Sequence, residues 1–584
     1  MIISSEDQKI LSRVLSLLKS YYKAIILIVV CIIAASGLSL VSPQITKIIV
    51  DNGLVSYNIE VVIKYSIAGL LLVLSQKLIE LFETKYCVLI NSKLSYDLSK
   101  TAIKKLMRLK QDYFSKTNYA EIIGNLNLDI GNISRVADKS SFYTLTSIFK
   151  VLGGFVGLIL IDWRLALMVA ISLPLRILMV TVIYKVRRKL FEAFMEVNKQ
   201  YSSWYGDTIS GIKEIKLFGL YRLKIGQFIK HQRKIIKINI KTQLCDKIYE
   251  MSEDTLYNVI TYLIYILGAL LIRSNGLSIG SIFAFITYCS FVTAHVSVLL
   301  NITYSFSNII PSAKRFFEFL DKEEEIRQKI EDGNKGTPTF KRNISFENVS
   351  YSYDGQREVL RDLNLSIAKG ERIAILGSNG SGKTTILNLL LRFLSPQNGR
   401  ILMDGENIDD LKLSEYRQMI SWVGQDLHIF NDSLQGNISL FPQADLSRLE
   451  RAASLSGVNE YIKNLPGGLK SNAGQNGAVL SAGQRQKLAM ARALYSESEI
   501  LIFDEATSNY DSESEMKLSL LFDNELKDKT IIVVSHRPEL LKSVERIVVI
   551  DGGEVIGNGK HEELYGINHM YTELFDNWSK RNAS

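Results

Sequence analysis

The sequence predicts an α-helical membrane domain of six spans joined to a cytosolic α/β domain of the P-loop type, and three observations carry that prediction. Apolar stretches long enough to cross a bilayer recur through residues 24–305. Basic residues collect in two long loops between those stretches. A glycine-rich loop, Gly377–Thr385, stands between a buried-strand pattern, Ile373–Leu376, and an apolar helix pattern, Thr385–Leu391. Bulk composition agrees: 47% hydrophobic residues beside 22% charged ones, and a mean hydropathy of +0.10, fit apolar spans plus a polar domain better than one uniform soluble chain. The formal net charge of +9 does not imply nucleic acid, because basic residues concentrate where membrane proteins face the cytoplasm.

Residues 1–22 carry Ile10, Leu11, Val14, Leu17 and Leu18 on one helical face, with Arg13 and Lys19 placed to reach headgroups, the pattern of an interfacial helix. A cleaved signal peptide is the rival, since an apolar stretch and Ala34, Ala35 and Ser36 follow, but cleavage would strand the P-loop domain outside the cell. About 22 residues precede the first span, so no peptidase domain is expected ahead of it. The membrane domain is expected over 23–315, with spans near 24–50, 60–83, 141–161, 165–184, 255–272 and 280–305, each close to the ~20 residues needed to cross the hydrocarbon core. In the second, Lys77, Glu80 and Glu83 would be costly against lipid and are expected in a cytoplasmic extension or beside a wet cavity.

Charge sets the orientation. Lys93, Lys100, Lys104, Lys105, Arg108 and Lys110 follow span two, and Lys185, Arg187, Arg188, Lys189, Lys213 and Lys216 follow span four, while the intervening links carry little charge. Both long loops and both termini are therefore expected on the cytoplasmic side of the inner membrane. Cys31, Cys87, Cys245 and Cys289 form no CxxC and read as free thiols. A charged linker over 316–340 precedes the final domain, 341–584.

In that domain, the glycines between strand and helix let successive N–H groups point at phosphate oxygens, aided by the polarity of the helix N-terminus. Lys383 is placed to reach the β and γ phosphates and Thr384 to hold Mg²⁺. A second buried strand, Ile500–Phe503, ends at Asp504, a candidate Mg²⁺ ligand, and Glu505 beside it is the candidate for polarising an attacking water.

Five segments then stand in the order and spacing of an ATP-binding cassette: Gly377–Thr385, the glutamine of Val423-Gly-Gln425, Leu480-Ser-Ala-Gly-Gln484, Ile500–Glu505 and Ser535-His536. With the spans before them, the chain resembles a half-size ABC exporter, whose fold is a six-span transmembrane domain followed by a cytosolic ATPase cassette. The resemblance implies ATP and Mg²⁺ as ligands. Gly377, Ser378, Asn379, Gly380, Ser381, Gly382, Lys383, Thr384 and Thr385 would cradle the phosphates, and Tyr353 would stack on adenine. Gln425 would touch Mg²⁺ and the attacking water, His536 the γ phosphate, and Asp511 would lie between the two sites. Ser481, Gly483 and Gln484 would close over nucleotide held by another chain, so a second copy is expected as partner, with a different half-transporter as the alternative. Phe114–Ile123 with Asp129, and Ser210–Phe218, resemble the family's two coupling loops, and Pro311–Leu320 resembles the exit from span six.

Two departures matter. The signature has Ala482 where the family has glycine, a change that blocks nothing unless the backbone there needs positive φ. Gly474-Gln-Asn-Gly477 replaces the family's frequent Glu-Arg pair, which implies weaker or differently tuned coupling. The expected activity is ATP-driven export of a peptide or amphipathic small molecule by alternating access, with a lipid flippase or a cassette-gated regulatory protein as alternatives. A soluble DNA-associated ATPase would need a long coiled coil between Lys383 and the signature, for which the chain has no room. Gln44, Lys77, Arg176 and His295 are the polar candidates for lining a cargo cavity.

Overall fold

A computed structural model describes residues 5–116, 119–273, 276–300, 309–325, 338–353, 355–425, 427–440, 444–506, 512–535 and 537–582. It divides into two compact units, Met1–Met107 with Asn118–Lys322, and Arg108–Thr117 with Glu323–Ser584.

The first unit is helical. α1 (Ser5–Leu17) leads to α2 (Tyr22–Ile48), which runs on through a π-helical turn at Ile49–Leu54. α3 (Ile59–Leu106) follows, and α4 (Gln111–Lys116) belongs to the second unit. α5 (Tyr119–Ser134), α6 (Lys139–Ile161), α7 (Trp163–Ser210), α8 (Ile212–Leu217), α9 (Tyr221–Arg273), α10 (Ile279–Leu300) and α11 (Ile309–Leu320) complete the unit. Six of these stretches are long and apolar enough to cross a membrane. At 1.5 Å per residue, the 48 residues of α3 and α7 extend about 70 Å, over twice the ~30 Å hydrocarbon core. Their polar halves therefore lie beyond the bilayer.

Local chemistry sets the helix starts. Asn58 caps α3 by accepting from the Val61 N–H at 3.2 Å, and Asp162 caps α7 by accepting from Arg164 and Leu165 N–H at 2.8 and 3.2 Å. Leu158, Leu165, Val169, Ile260, Ile264, Phe285 and Val292 pack α6, α7, α9 and α10 into one apolar core. Leu70, Leu74, Leu152, Val156 and Leu160 stay exposed, as lipid-facing side chains should. α11 runs past residue 316, where the linker was expected to start, because Phe316, Phe317 and Phe319 are buried. It is held by Arg315 to Asp129, by the Asn132 amide donating to Ser312 at 3.0 Å, and by Arg13, stacked 4.1 Å over Phe317.

The second unit holds two sheets. β1 (Asn343–Ser352), β2 (Glu358–Ala368), β4 (Asn398–Met403) and β5 (Glu406–Asn407) form an antiparallel sheet in the order β2-β1-β4-β5. β3 (Arg372–Gly377), β6 (Ile420–Val423), β7 (Ile500–Asp504), β8 (Thr530–Val534), β9 (Arg546–Asp551) and β10 (Glu554–Gly559) form the other, ordered β10-β9-β3-β8-β7-β6. Its four pairings from β9 to β6 are parallel, and the strands read as near-continuous apolar runs because helices cover both faces. The helices of this unit beyond α4, among the described residues, are α12 (Lys383–Leu390), α13 (Leu413–Gln418), α14 (Leu434–Ser439), α15 (Leu446–Leu455), α16 (Asn459–Ile462), α17 (Ala482–Tyr495), α18 (Ser512–Asn524), α19 (Pro538–Lys542), α20 (His561–Leu564) and α21 (His569–Asn582).

Candidate nucleotide site

The parallel register brings the candidate residues to one edge. Asp504 pairs with Val534, Ile375 with Val534, and Val423 with Phe503. Gly377, Gln425, Asp504 and Ser535 thus all leave their strands at the carboxyl end of the sheet, where open α/β folds bind ligands.

The loop from Gly377 to Lys383 is shaped by glycine. Gly382 has φ +108°, and a Cβ there would meet Leu360 Cδ2 at 2.6 Å. The turn therefore cannot carry a side chain, and α12 starts with its N–H groups uncovered. Lys383 is buried and donates from Nζ to the Gly377 and Ser378 carbonyls at 2.7 and 2.9 Å. The Ser381 hydroxyl oxygen is buried with no partner in the loop. An orphaned hydroxyl and a lysine folded onto its own loop carbonyls are what phosphate oxygens would satisfy, so the loop fits the nucleotide. Thr384 is exposed while Thr385 is buried. The Thr385 hydroxyl lies 3.3 Å from that of Tyr353, which places the half-exposed Tyr353 ring beside the phosphate loop, edge-on to Tyr351 at 5.1 Å.

Across the sheet edge, Asp504 is 9% exposed. Burial and the neighbouring Glu505 raise its pKa to about 6, and Lys383 partly offsets them. Burial conversely lowers the Lys383 pKa, against the pull of Glu505 and Asp504. Glu505 has φ +49°, a left-handed conformation that carries strain for a residue other than glycine. Its N–H is tied to the Val534 carbonyl at 2.9 Å. Gln425 is exposed just past β6.

The signature residues lie elsewhere. Ser481 is the N-cap of α17, accepting from the Gln484 N–H at 3.2 Å while the Gln484 side chain accepts from the Ser481 N–H at 2.9 Å, a complete capping box. Ala482 is the first helical residue and does not have positive φ, so its methyl group strains nothing. Gly483 follows within the helix. α12 packs in the core around β1 to β4, whereas α17 packs in two other apolar clusters. Asp511 and His536 lie outside the described residues.

In the membrane unit, three of the four cavity candidates bond to neighbouring helices. The Gln44 amide reaches the Tyr288 hydroxyl at 3.5 Å, His295 Nδ1 lies 3.0 Å from Ser147 Oγ, and Arg176 pairs with Glu253. The Ser147 hydroxyl also lies 2.8 Å from the Tyr143 carbonyl, so it is shared between that carbonyl and His295. Lys77 is exposed and pairs with Glu80 at 2.7 Å within α3. Sequence reasoning passed over Lys150, a cation inside span three that interacts with Glu80 and with His295. The lone charge in the apolar run Phe149–Ile161 was the available signal.

Residues 25–296 match the family model described as the ABC transporter transmembrane region, and residues 360–508 the one described as ABC transporter. The chain is 30% identical to an ATP-dependent lipid A-core flippase of Albidiferax ferrireducens, over 98% of each chain. It is 29% identical to the protein of the same name in Alcanivorax borkumensis, over 96% of each. In fold it is similar to a bacterial Atm1-family ABC exporter with ATP bound, at a TM-score of 0.83 and 22% identity, over 97% of this chain and 100% of that one. The chain belongs to the ABC transporters: it is a half-size exporter of the inner membrane that binds ATP in a cytoplasmic cassette and couples its hydrolysis to export.

Proposed function

We propose that two copies of this chain form the working exporter, each supplying the signature that closes its partner's nucleotide. The observation that carries this reading is the exposed, capped N-terminus of α17 at Ser481, packed in a core separate from that of the phosphate loop. A helix N-terminus is an anion site in waiting, and Ser481 and Gly483 of a second copy would offer it to the γ phosphate. Within one chain, the loop from Gly377 to Thr385 holds the phosphates, Lys383 leaves its carbonyl partners for phosphate oxygens, and Tyr353 carries adenine. Thr384, Asp504 and Gln425 would hold Mg²⁺, whose charge would keep Asp504 ionised and offset the charge on the transferring phosphoryl group. Glu505 orients and polarises the water, His536 steadies the γ phosphate, and Asp511 links the two sites. Both sites of such a pair are competent, since Ala482 obstructs neither.

For the cargo, the reading is an amphiphile with an anionic group, lipid-like as in the named relatives. Lys150, Lys77 and Glu80 lie within or at the edge of apolar spans, where ionisable groups are retained for function. Cysteines replacing Ser378 and Ser481, carried on differently tagged chains in a Glu505→Gln background with native thiols removed, should crosslink between chains only with MgATP. A monomer with full ATPase activity would overturn the dimer. Stimulation of ATPase in vesicles by anionic but not by zwitterionic amphiphiles, abolished in Lys150→Met, tests the cargo.

A further inference from the structure

The cassette unit includes two short pieces of chain that adjoin the spans: Arg108–Thr117, directly after α3, and Glu323–Glu325, directly after the end of α11 at Leu320. These pieces are tied to each other. The Glu325 N–H donates to the Arg108 carbonyl at 2.7 Å, Leu109 and Glu324 form an antiparallel bridge, and Lys110 pairs with Glu323 at 2.5 Å. Leu109 is buried. The backbone leaving span two and the backbone leaving span six are therefore one structural piece.

Arg417 ties that piece to the cassette. Both oxygens of Glu325 are held by Arg417, at 2.5 and 3.2 Å, in the two-pronged geometry that fixes direction as well as distance. The same guanidinium donates to the Leu391 carbonyl at 3.0 Å and to the Arg392 carbonyl at 3.0 Å, and stacks 4.8 Å over Phe393. Leu391 is the C-cap of α12, the helix whose other end is Lys383. Tyr416, next to Arg417 and fully buried, donates to the Leu390 carbonyl at 2.6 Å. One end of α12 thus carries the phosphate loop, and the opposite end is gripped by the residue that holds Glu325. The helix is only about 12 Å long and stiff on that scale.

We propose that Arg417 and Glu325 are positioning residues for coupling: they convey movement of the phosphate-loop helix to spans two and six of the same chain, alongside the coupling loops. The ion pair sits at the end of α12 away from the phosphate loop. Its loss should leave ATP binding and hydrolysis intact while weakening the response of the spans.

The test uses the full chain in nanodiscs, with MgATP and vanadate as the probe and spin-label pairs reporting cassette closure and span rearrangement separately. Glu325→Ala keeps every contact of Arg417 inside the cassette. It should leave the KM for ATP and the basal kcat within about twofold, with cassette closure as in the unaltered protein. The population of rearranged spans should fall about fivefold, the effect of losing one well-aligned, half-buried pair. Glu325→Asp should retain most of the response, and Glu325→Arg combined with Arg417→Glu should recover part of it. Unaltered span rearrangement in Glu325→Ala would overturn the proposal, as would parallel loss of cassette closure, ATPase and thermal stability. Should Glu325→Ala fail to fold, the isosteric Glu325→Gln carries the test, and a full span response in it overturns the proposal equally.

Discussion

Asp504→Asn should make the nucleotide-free protein more stable, although it removes a carboxylate proposed to hold Mg²⁺. The Asp504 pKa moves from 3.8 to about 6 because the carboxylate is buried beside Glu505. Between those values the folded protein binds more protons at this group than the unfolded chain does. The favourable contribution is complete below about pH 4 and is lost as pH rises through about 6. Integrating the shift gives a penalty of about 1 kcal/mol at pH 4.5 and about 3 kcal/mol at pH 7.5. Asparagine removes the charge but still buries an amide, so about half of that gain should survive. For a domain of this size, a rise in Tm of about 3–6 °C at pH 7.5 follows, shrinking to about 1 °C at pH 4.5. Thermal unfolding of the detergent-solubilised protein in EDTA, followed by hydrogen exchange across β7, measures it. An equal or lower Tm for Asp504→Asn at pH 7.5, with an unchanged pH profile, would refute the reasoning.

Gly382→Ala forces a side chain onto φ +108° and against Leu360; it should cost about 1–3 kcal/mol and weaken nucleotide binding more than tenfold, read by fluorescent-nucleotide titration. Arg176→Met leaves the largely buried Glu253 with Ser297 and Tyr249 as its donors among the described residues. It should destabilise the membrane unit by about 3–5 kcal/mol, with most of the loss recovered in Arg176→Met/Glu253→Gln, measured as thermal midpoints in detergent. Gln475→Glu should raise amphiphile-stimulated ATPase about twofold, the worth of one surface charge contact, and no change would count against neutral residues tuning the coupling. Asn476→Arg should not add to it, because Asn476 sits at φ +50°, where arginine costs about 1 kcal/mol.

The local parts of this molecule were legible in the sequence. Hydropathy and the lysines after spans two and four gave six helices and their orientation, and strand-glycine-helix punctuation gave the phosphate loop. What stayed hidden was pairing across sequence distance. Arg176 read as a candidate for lining a cavity because its carboxylate, Glu253, lies 77 residues away on another helix. Arg417 and Glu325 lie 92 apart and belong to no motif, so neither residue drew attention. Ala482 was ambiguous for a different reason: only the backbone shows whether glycine's freedom is used, and the N-terminus of α17 does not use it. The opposite held at Glu505, an ordinary residue by type whose positive φ no sequence pattern announces.

That strain and the charge balance around it bear on why nucleotide, rather than apolar burial, would hold two cassettes together. Among the described residues, Asp504 and Glu505 put two carboxylates beside one cation, Lys383. Such a site is acidic when empty, and Leu480–Gln484 of a second copy would present no charged side chain to it. The partial positive charge of α17 at Ser481 amounts to about half an elementary charge, too little to hold two cassettes alone and well suited to a γ phosphate. Closure stabilised this way would depend on the phosphate that hydrolysis removes. Removing it returns the surplus of negative charge to the interface. A Glu505→Gln pair should accordingly stay associated through size-exclusion chromatography in MgATP and separate when ATP is replaced by ADP, and persistence of the closed pair in ADP would show that something other than the γ phosphate holds it.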